Sequence, residues 1–206
     1  LILGTMKEKK MKNLTEMSNE ELWELFPIVL CGHKEEWKQM YENEKKLLLH
    51  LIGRDQVVRI SHIGSTAVKG LLAKPTIDIL LEIEEHCELK QLIRGLEKKG
   101  YIYVKKPGNP PPHMMFMKGY TLQGFAKKVY HLHVRYPGDW DELYFRDYLK
   151  RHREAAEEYG KLKIGLQKKY EHDRDAYTRA KTDFVRECTK KARKELGDIY
   201  RPEGEK

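Results

Sequence analysis

Residues 60–83 read ISHIGSTAVKGLLAKPTIDILLEI, and their order of strand, Gly-Ser turn and second, more apolar strand decides the fold. Val57, Val58 and Ile60 are β-branched, so residues 57–62 predict a strand, which Gly64, Ser65 and Thr66 interrupt with turn and capping residues. Residues 67–73 leave room for only a short helical turn before Pro75. Residues 76–83 then predict a second strand with so little polar interruption that at least one face is buried. Asp78 is therefore an acid inside an apolar strand. Burying an unpaired carboxylate costs several kcal/mol, so a metal ion or a cationic partner has to compensate it.

The turn admits two readings. Gly64 lets the backbone approach a phosphate closely, and Ser65 and Thr66 offer hydroxyls and free N–H groups, with Asp78 holding a divalent cation against that phosphate. Alternatively, the turn is a plain cap and Asp78 pairs with Lys74 or an arginine. The dipeptide alone favours the plain cap; the strand aspartate turns the balance toward a phosphate site. Glu82 shares a face with Asp78, but the rise between them is roughly 13 Å, too far to ligate one ion, so it is expected to be a strand-end solvent group.

Residues 129–134 predict another strand, with His131 and His133 on one face and Tyr130, Leu132 and Val134 on the other. Two imidazoles beside Asp78 suit zinc, manganese or iron better than magnesium. One histidine would otherwise serve as a general base or phosphate donor, and the plain alternative is a hydrogen-bonded pair on an edge strand.

The chain has 206 residues, 40% of them hydrophobic, enough for one substantial core with appended helices. Cys31, Cys87 and Cys188 are scattered without metal or disulfide spacing, which fits a reducing cytoplasm. The opening LILGTM meets KEKKMKN at once and is too short for a signal core or a membrane span; residues 1–17 are expected to form a mobile tail. The net charge of +8 is spread over mixed-sign helices, except at Lys98, Lys99, Lys105, Lys106, Lys118, Lys127 and Lys128. Such a patch attracts polyanions, but no aromatic-interleaved RNA motif accompanies it, so RNA binding ranks last among the functions considered.

Helices are expected over residues 18–26, opened by a Ser18–Glu21 capping box, over 35–52, and over 89–99. Short strands follow at 101–104 and 114–117, joined by the proline-rich loop 107–112, with a turn at 119–127 before the histidine strand closes a mixed sheet. From Trp140 the pattern is helical and ends in a single helix over 173–196. Lys181 stands in the apolar stripe of Tyr177, Phe184 and Cys188, either snorkelling to solvent or reaching a phosphate. Arg146 either clamps a phosphate bidentately or anchors its helix through a buried carboxylate.

Four motifs carry a resemblance: HIGSTAVKGLLAKPTIDILLEI at 62–83, YHLHV at 130–134, FRDYLKRH at 145–152 and AYTRAKTDFV at 176–185. In this order, over residues 27–192, they resemble the GrpB family, usually placed in the nucleotidyltransferase superfamily. The resemblance implies a nucleotidyltransferase-like α/β core at 18–139, a helical cap at 140–196 and a frayed tail at 197–206. It also implies transfer of a nucleotidyl group from a nucleoside triphosphate, with a divalent metal (magnesium or manganese) on Asp78, to an acceptor of unknown identity near His131 and His133, so that Asp78, His131 and His133 are the expected catalytic residues. Gly64, Ser65, Thr66, Lys74, Arg146 and Lys181 would hold the nucleotide. One departure matters: the superfamily pattern wants acids two residues apart, and this chain has Leu80 after Asp78. Leu80 favours the competing expectation, a catalytically inactive nucleotide- or ligand-binding module.

Overall fold

The fold is taken from a computed structural model that describes residues 13–105, 108 and 112–202. Most of the expected N-terminal tail, Lys106, much of the proline-rich loop and the last four residues lie outside the described residues.

Ser18 caps α1 (Asn19–Leu25): its hydroxyl accepts from the Glu21 N–H at 3.2 Å, and the Glu21 carboxylate accepts from the Ser18 N–H at 2.8 Å. Helix α2 (Glu36–Ile52) follows, and Gly53, at φ 94°, turns the chain into β1 (Val57–Ile63). After a 3-10 turn at Ser65–Ala67 comes β2 (Ile77–Ile83), then α3 (Leu89–Lys98), β3 (Ile102–Val104), β4 (Met114–Thr121) and β5 (Gly124–Arg135). Four helices complete the chain: α4 (Asp141–Arg151), α5 (Arg153–Tyr170), α6 (Arg174–Arg179) and α7 (Thr182–Leu196).

The strands form one mixed sheet in the order β1-β2-β5-β4-β3, in which only β2 and β5 run parallel. The histidine strand is therefore the centre of the sheet, where an edge or closing position was expected. Its face alternates as expected: Tyr130, Leu132 and Val134 join Ile77, Ile79, Leu81 and Ile83 in the main core, under α2 and α3. The opposite face carries Asp78, Leu80 and Glu82 of β2 beside His131 and His133 of β5, with Asp78 paired to His131 and Leu80 to His133 in register. Helices α4 to α7 lie on this second face: Leu80 packs with Ile63 and Leu143, and Lys163 reaches Ser65.

Several expectations are corrected. Glycines at 119 and 124 do not bound a long turn; the hairpin is two residues, Leu122 and Gln123, and Gly119 sits in a register irregularity between Lys118 and Tyr120. A Cβ at Gly119 would lie 2.1 Å from the Lys128 carbonyl. The irregularity moves Tyr120 from the core face shared by Phe116 and Lys118 to the face of His131. The last helix is two, because the ladder tightens at Lys181, whose N–H bonds to the Thr178 carbonyl three residues back.

Glu82 is wholly buried instead of solvent-facing: its carboxylate takes the Arg59 guanidinium from the neighbouring strand and the Gly138 N–H at 3.0 Å. Lys118 does not join a surface patch either, since it pairs with buried Glu44 at 2.7 Å between the rings of Tyr101 and Tyr130. Within the spans expected to be tails, Leu14 packs on the Phe26 cluster and Tyr200 packs on the cluster of Ile63, Leu80 and Leu143 and against Tyr144, so these described residues are held to the fold. Among the described residues no helix is long and apolar enough to cross a membrane.

Candidate functional site

Gly64 and Asp78 face each other across the β1–β2 pair, and the turn's geometry follows from the acid. Gly64 has φ 70°, a region costly for any residue with a side chain, and a Cβ there would stand 2.5 Å from Asp78 Oδ2. Its first role is thus to admit the carboxylate. Asp78 Oδ1 accepts from His131 Nδ1 at 3.1 Å, with His133 Nε2 4.0 Å away, and the Asp78 side chain remains 28% exposed at the mouth of a cavity. Burial opposes its charge, yet the histidine hydrogen bonds hold the carboxyl well below the usual carboxylate range.

His131 is the middle of a relay. Arg174 donates to the Tyr120 hydroxyl at 3.0 Å, and that hydroxyl donates to His131 Nε2 at 2.7 Å, leaving Nδ1–H for Asp78. Burial pushes the imidazole below its ordinary value, which suits this neutral tautomer. Both nitrogens are engaged, so His131 offers no lone pair to an ion. Among the described residues no group of three or more His, Cys, Asp or Glu side chains is placed to hold a metal ion. The expected metal on Asp78 would have that carboxylate and His133, 4.0 Å from it, as its protein ligands, since both nitrogens of His131 are engaged, Leu80 is fully buried and Glu82 is paired with Arg59. The donor set does not build a metal centre.

Beside Asp78 lies a cavity of about 190 Å³, and three ammonium groups line it: Lys74, Lys163 and Lys181. Lys163 is 3% exposed and donates to Ser65 Oγ at 3.0 Å and to the Leu72 carbonyl. Burial, then repulsion from Lys181 and Lys74, pushes it down to about 7. Burial, Arg174 and Lys181 push Lys74 to about 7, and burial brings Lys181 to about 8 against the pull of Asp78. Lys163 and Lys181 each lie over the tyrosine four residues earlier in their chain, Tyr159 at 4.6 Å and Tyr177 at 4.4 Å. The Tyr177 hydroxyl is buried with no hydrogen-bond partner among the described residues, on a side chain lining the same cavity.

Of the residues expected to form the site, Gly64, Ser65, Lys74, Asp78, His131 and Lys181 converge on this cavity. Thr66 lines it too, but its hydroxyl donates to the Thr76 carbonyl at 3.0 Å and lies 2.9 Å from His62 Nε2, a structural engagement. His133 lines the adjoining cleft of about 680 Å³, which shares Gly64, Asp78 and Phe145 with the cavity. Arg146 does not take part: its guanidinium bonds Asp147 at 2.7 Å, the His62 carbonyl at 3.1 Å and the Tyr200 hydroxyl at 2.9 Å. It anchors α4 to β1 and to Tyr200, and is not the phosphate clamp it was expected to be. Lys163 and Tyr177 line the cavity as well, though neither was expected there. The repeated Tyr-to-Lys spacing of four, at Tyr159–Lys163 and Tyr177–Lys181, is the signal that would have found the first.

The model of the family described as "GrpB protein" matches residues 27–191. The glutamate-rich protein GrpB of Alkalihalophilus pseudofirmus is 37% identical over 164 residues, covering 78% of this chain and 92% of that protein. A UPF0157 protein of Pseudomonas aeruginosa is 40% identical over 127 residues, 61% of this chain and 52% of that protein. The crystal structure of the conserved protein GrpB from Enterococcus faecalis superposes with a TM-score of 0.68 at 27% identity, covering 81% of this chain and 98% of that one. The chain belongs to the GrpB family.

Proposed function

We propose that this chain is a ligand-binding module that holds the phosphate of a nucleotide-type compound in the lysine cavity beside Asp78. The observation that carries this reading is the convergence of Lys74, Lys163 and Lys181 on one small cavity with the Gly64–Ser65 turn and a single carboxylate. Three ammonium groups against one acid oppose folding, and no stability argument explains gathering them. A phosphate dianion would neutralise the excess, accept from the ammonium groups and Ser65, and give the Tyr177 hydroxyl a partner. Lysines whose charge is disfavoured by burial and by one another, gathered in a cleft beside a carboxylate, support the same reading.

A second reading, nucleotidyl transfer from a nucleoside triphosphate to an acceptor, is favoured by Asp78 standing on a strand beside a Gly-Ser turn with His133 at the mouth. It asks one carboxylate to do work for which two are wanted. Thermal shift with phosphate and each nucleotide, run alongside pyrophosphate release with magnesium or manganese, separates the two. Stabilisation without turnover supports the module, and metal-dependent pyrophosphate release that Asp78→Ala abolishes supports transfer. If no phosphorylated compound stabilises the wild type, both readings fail.

A further inference from the structure

The lysine cavity, at about 190 Å³, has room for one tetrahedral phosphate and a few waters, whose share of liquid volume is about 30 Å³ each. A nucleotide does not fit inside it. The cavity does not end at Asp78, however, because Gly64, Asp78 and Phe145 also line the cleft of about 680 Å³, a volume ordinary for a nucleotide-sized ligand.

The two spaces differ in chemistry. The cavity presents ammonium groups in excess. The cleft presents Ile63, Trp140, Phe145 and Val185, and its arginines are already neutralised: Arg135 pairs with Glu142 at 2.6 Å, and Arg193 pairs with Asp139 and with Asp141 at 2.7 Å. Trp140 is held in place by its indole N–H, which donates to the Tyr136 carbonyl at 3.2 Å, and by the Arg135 guanidinium 4.5 Å from its ring. One space is built for charge and the other for a flat apolar body. Between them stands Asp78, an acceptor-only group that suits a sugar hydroxyl, its carboxylate packed against Gly64 where the two spaces share their lining.

We propose that the ligand is a nucleoside monophosphate lying across both spaces, its single phosphate among Lys74, Lys163 and Lys181 and its base in the Trp140 cleft. This rests on reading the lysine cavity as a phosphate site. A triphosphate chain is too long for the small cavity, so the monophosphate binds tighter than the triphosphate of the same nucleoside.

Calorimetry on the full chain near pH 6.5 tests this with inorganic phosphate, ribose 5-phosphate, the four common ribonucleoside 5′-monophosphates and their triphosphates. At least one monophosphate is expected to bind at least about ten-fold tighter than inorganic phosphate, the lower range for base–aromatic stacking, and tighter than its triphosphate. Trp140→Ala removes that increment and leaves phosphate affinity unchanged; Val185→Trp, which fills the cleft from α7, does the same by exclusion should Trp140→Ala not fold. Phosphate binding with no gain for any monophosphate, or a gain that survives the folded cleft variants, overturns the bipartite ligand while leaving the phosphate site standing. No binding of inorganic phosphate or any phosphorylated probe overturns the underlying reading as well.

Discussion

Replacing Lys163 with methionine should make the protein more stable and its phosphate site useless. Lys163 is 3% exposed and falls from an ordinary 10.5 to about 7, with burial as the main cause. At about 1.4 kcal/mol per pH unit, keeping that ammonium in the fold costs about 5 kcal/mol. Methionine has a similar length and no charge to desolvate. Against this gain stand the lost bond to Ser65, worth about 1 kcal/mol, and the Leu72 carbonyl left without a donor, worth about 1–3 kcal/mol. Near pH 6.5, where that cost is complete, the net is a stabilisation of about 2 kcal/mol, or about 4–8 °C in melting temperature for a chain of this size. The sign carries a pH signature. A lysine whose folded pKa is depressed binds fewer protons folded than unfolded between about 7 and 10.5, so wild-type stability rises with pH across that window. In Lys163→Met the rise is shallower. The assay is thermal denaturation by circular dichroism from pH 6.5 to 9.5 in a buffer free of phosphate and sulfate. A variant that melts below wild type throughout would make Lys163 a structural tether whose burial is not costly.

Four other outcomes follow from the geometry. Gly64→Ala forces a Cβ to within 2.5 Å of Asp78 at φ 70°, so it should cost about 2–4 kcal/mol in urea denaturation and abolish phosphate binding. Glu82→Ala strands the Arg59 guanidinium and should cost about 3–5 kcal/mol by the same measurement, against little for an exposed glutamate such as Glu157. Phosphate affinity should fall as pH rises through about 7 to 8, because the neutral lysines must take up protons to bind the anion; calorimetry in buffers of different ionisation enthalpy should register that uptake. Truncation after Leu196 removes Tyr200 from Arg146 and Asp147 and should lower the melting temperature by several degrees, where a frayed tail would leave it unchanged.

Much of the sheet was legible because its signals are local. The unbroken apolar run at Ile77–Ile83 and the β-branched residues of β1 mark strands, Ser18 and Glu21 mark a helix start, and the alternation of His131 and His133 with Leu132 and Val134 fixes which side is core. Sites depend on non-local pairing, and there the sequence misled. Period-two counting shows that Glu82 shares a face with Asp78, but Arg59 reaches it only through the register of β1 against β2. Strand order is absent from local pattern, so β5 was expected at the margin of a sheet whose centre it occupies. Gly119 was ambiguous because glycine marks turns and bulges alike; only the pairing of Lys118 with Tyr130 and Tyr120 with Phe125 reveals the irregularity that delivers Tyr120 to His131. Lys163 was hidden among the lysines of α5, its inward face apparent once that helix packs over Ser65. Asp78 and Lys181, singled out as charges in apolar stripes, do meet at one cavity.

A crystal structure of the full chain grown with inorganic phosphate near pH 6.5 would show whether the lysine cavity takes the anion. A tetrahedral anion is expected in the cavity beside Asp78, with its oxygens ~3 Å from the Lys163 and Lys181 ammonium groups and from the Tyr177 hydroxyl. Phosphate bound elsewhere on the molecule, with water alone among the three lysines, would contradict it.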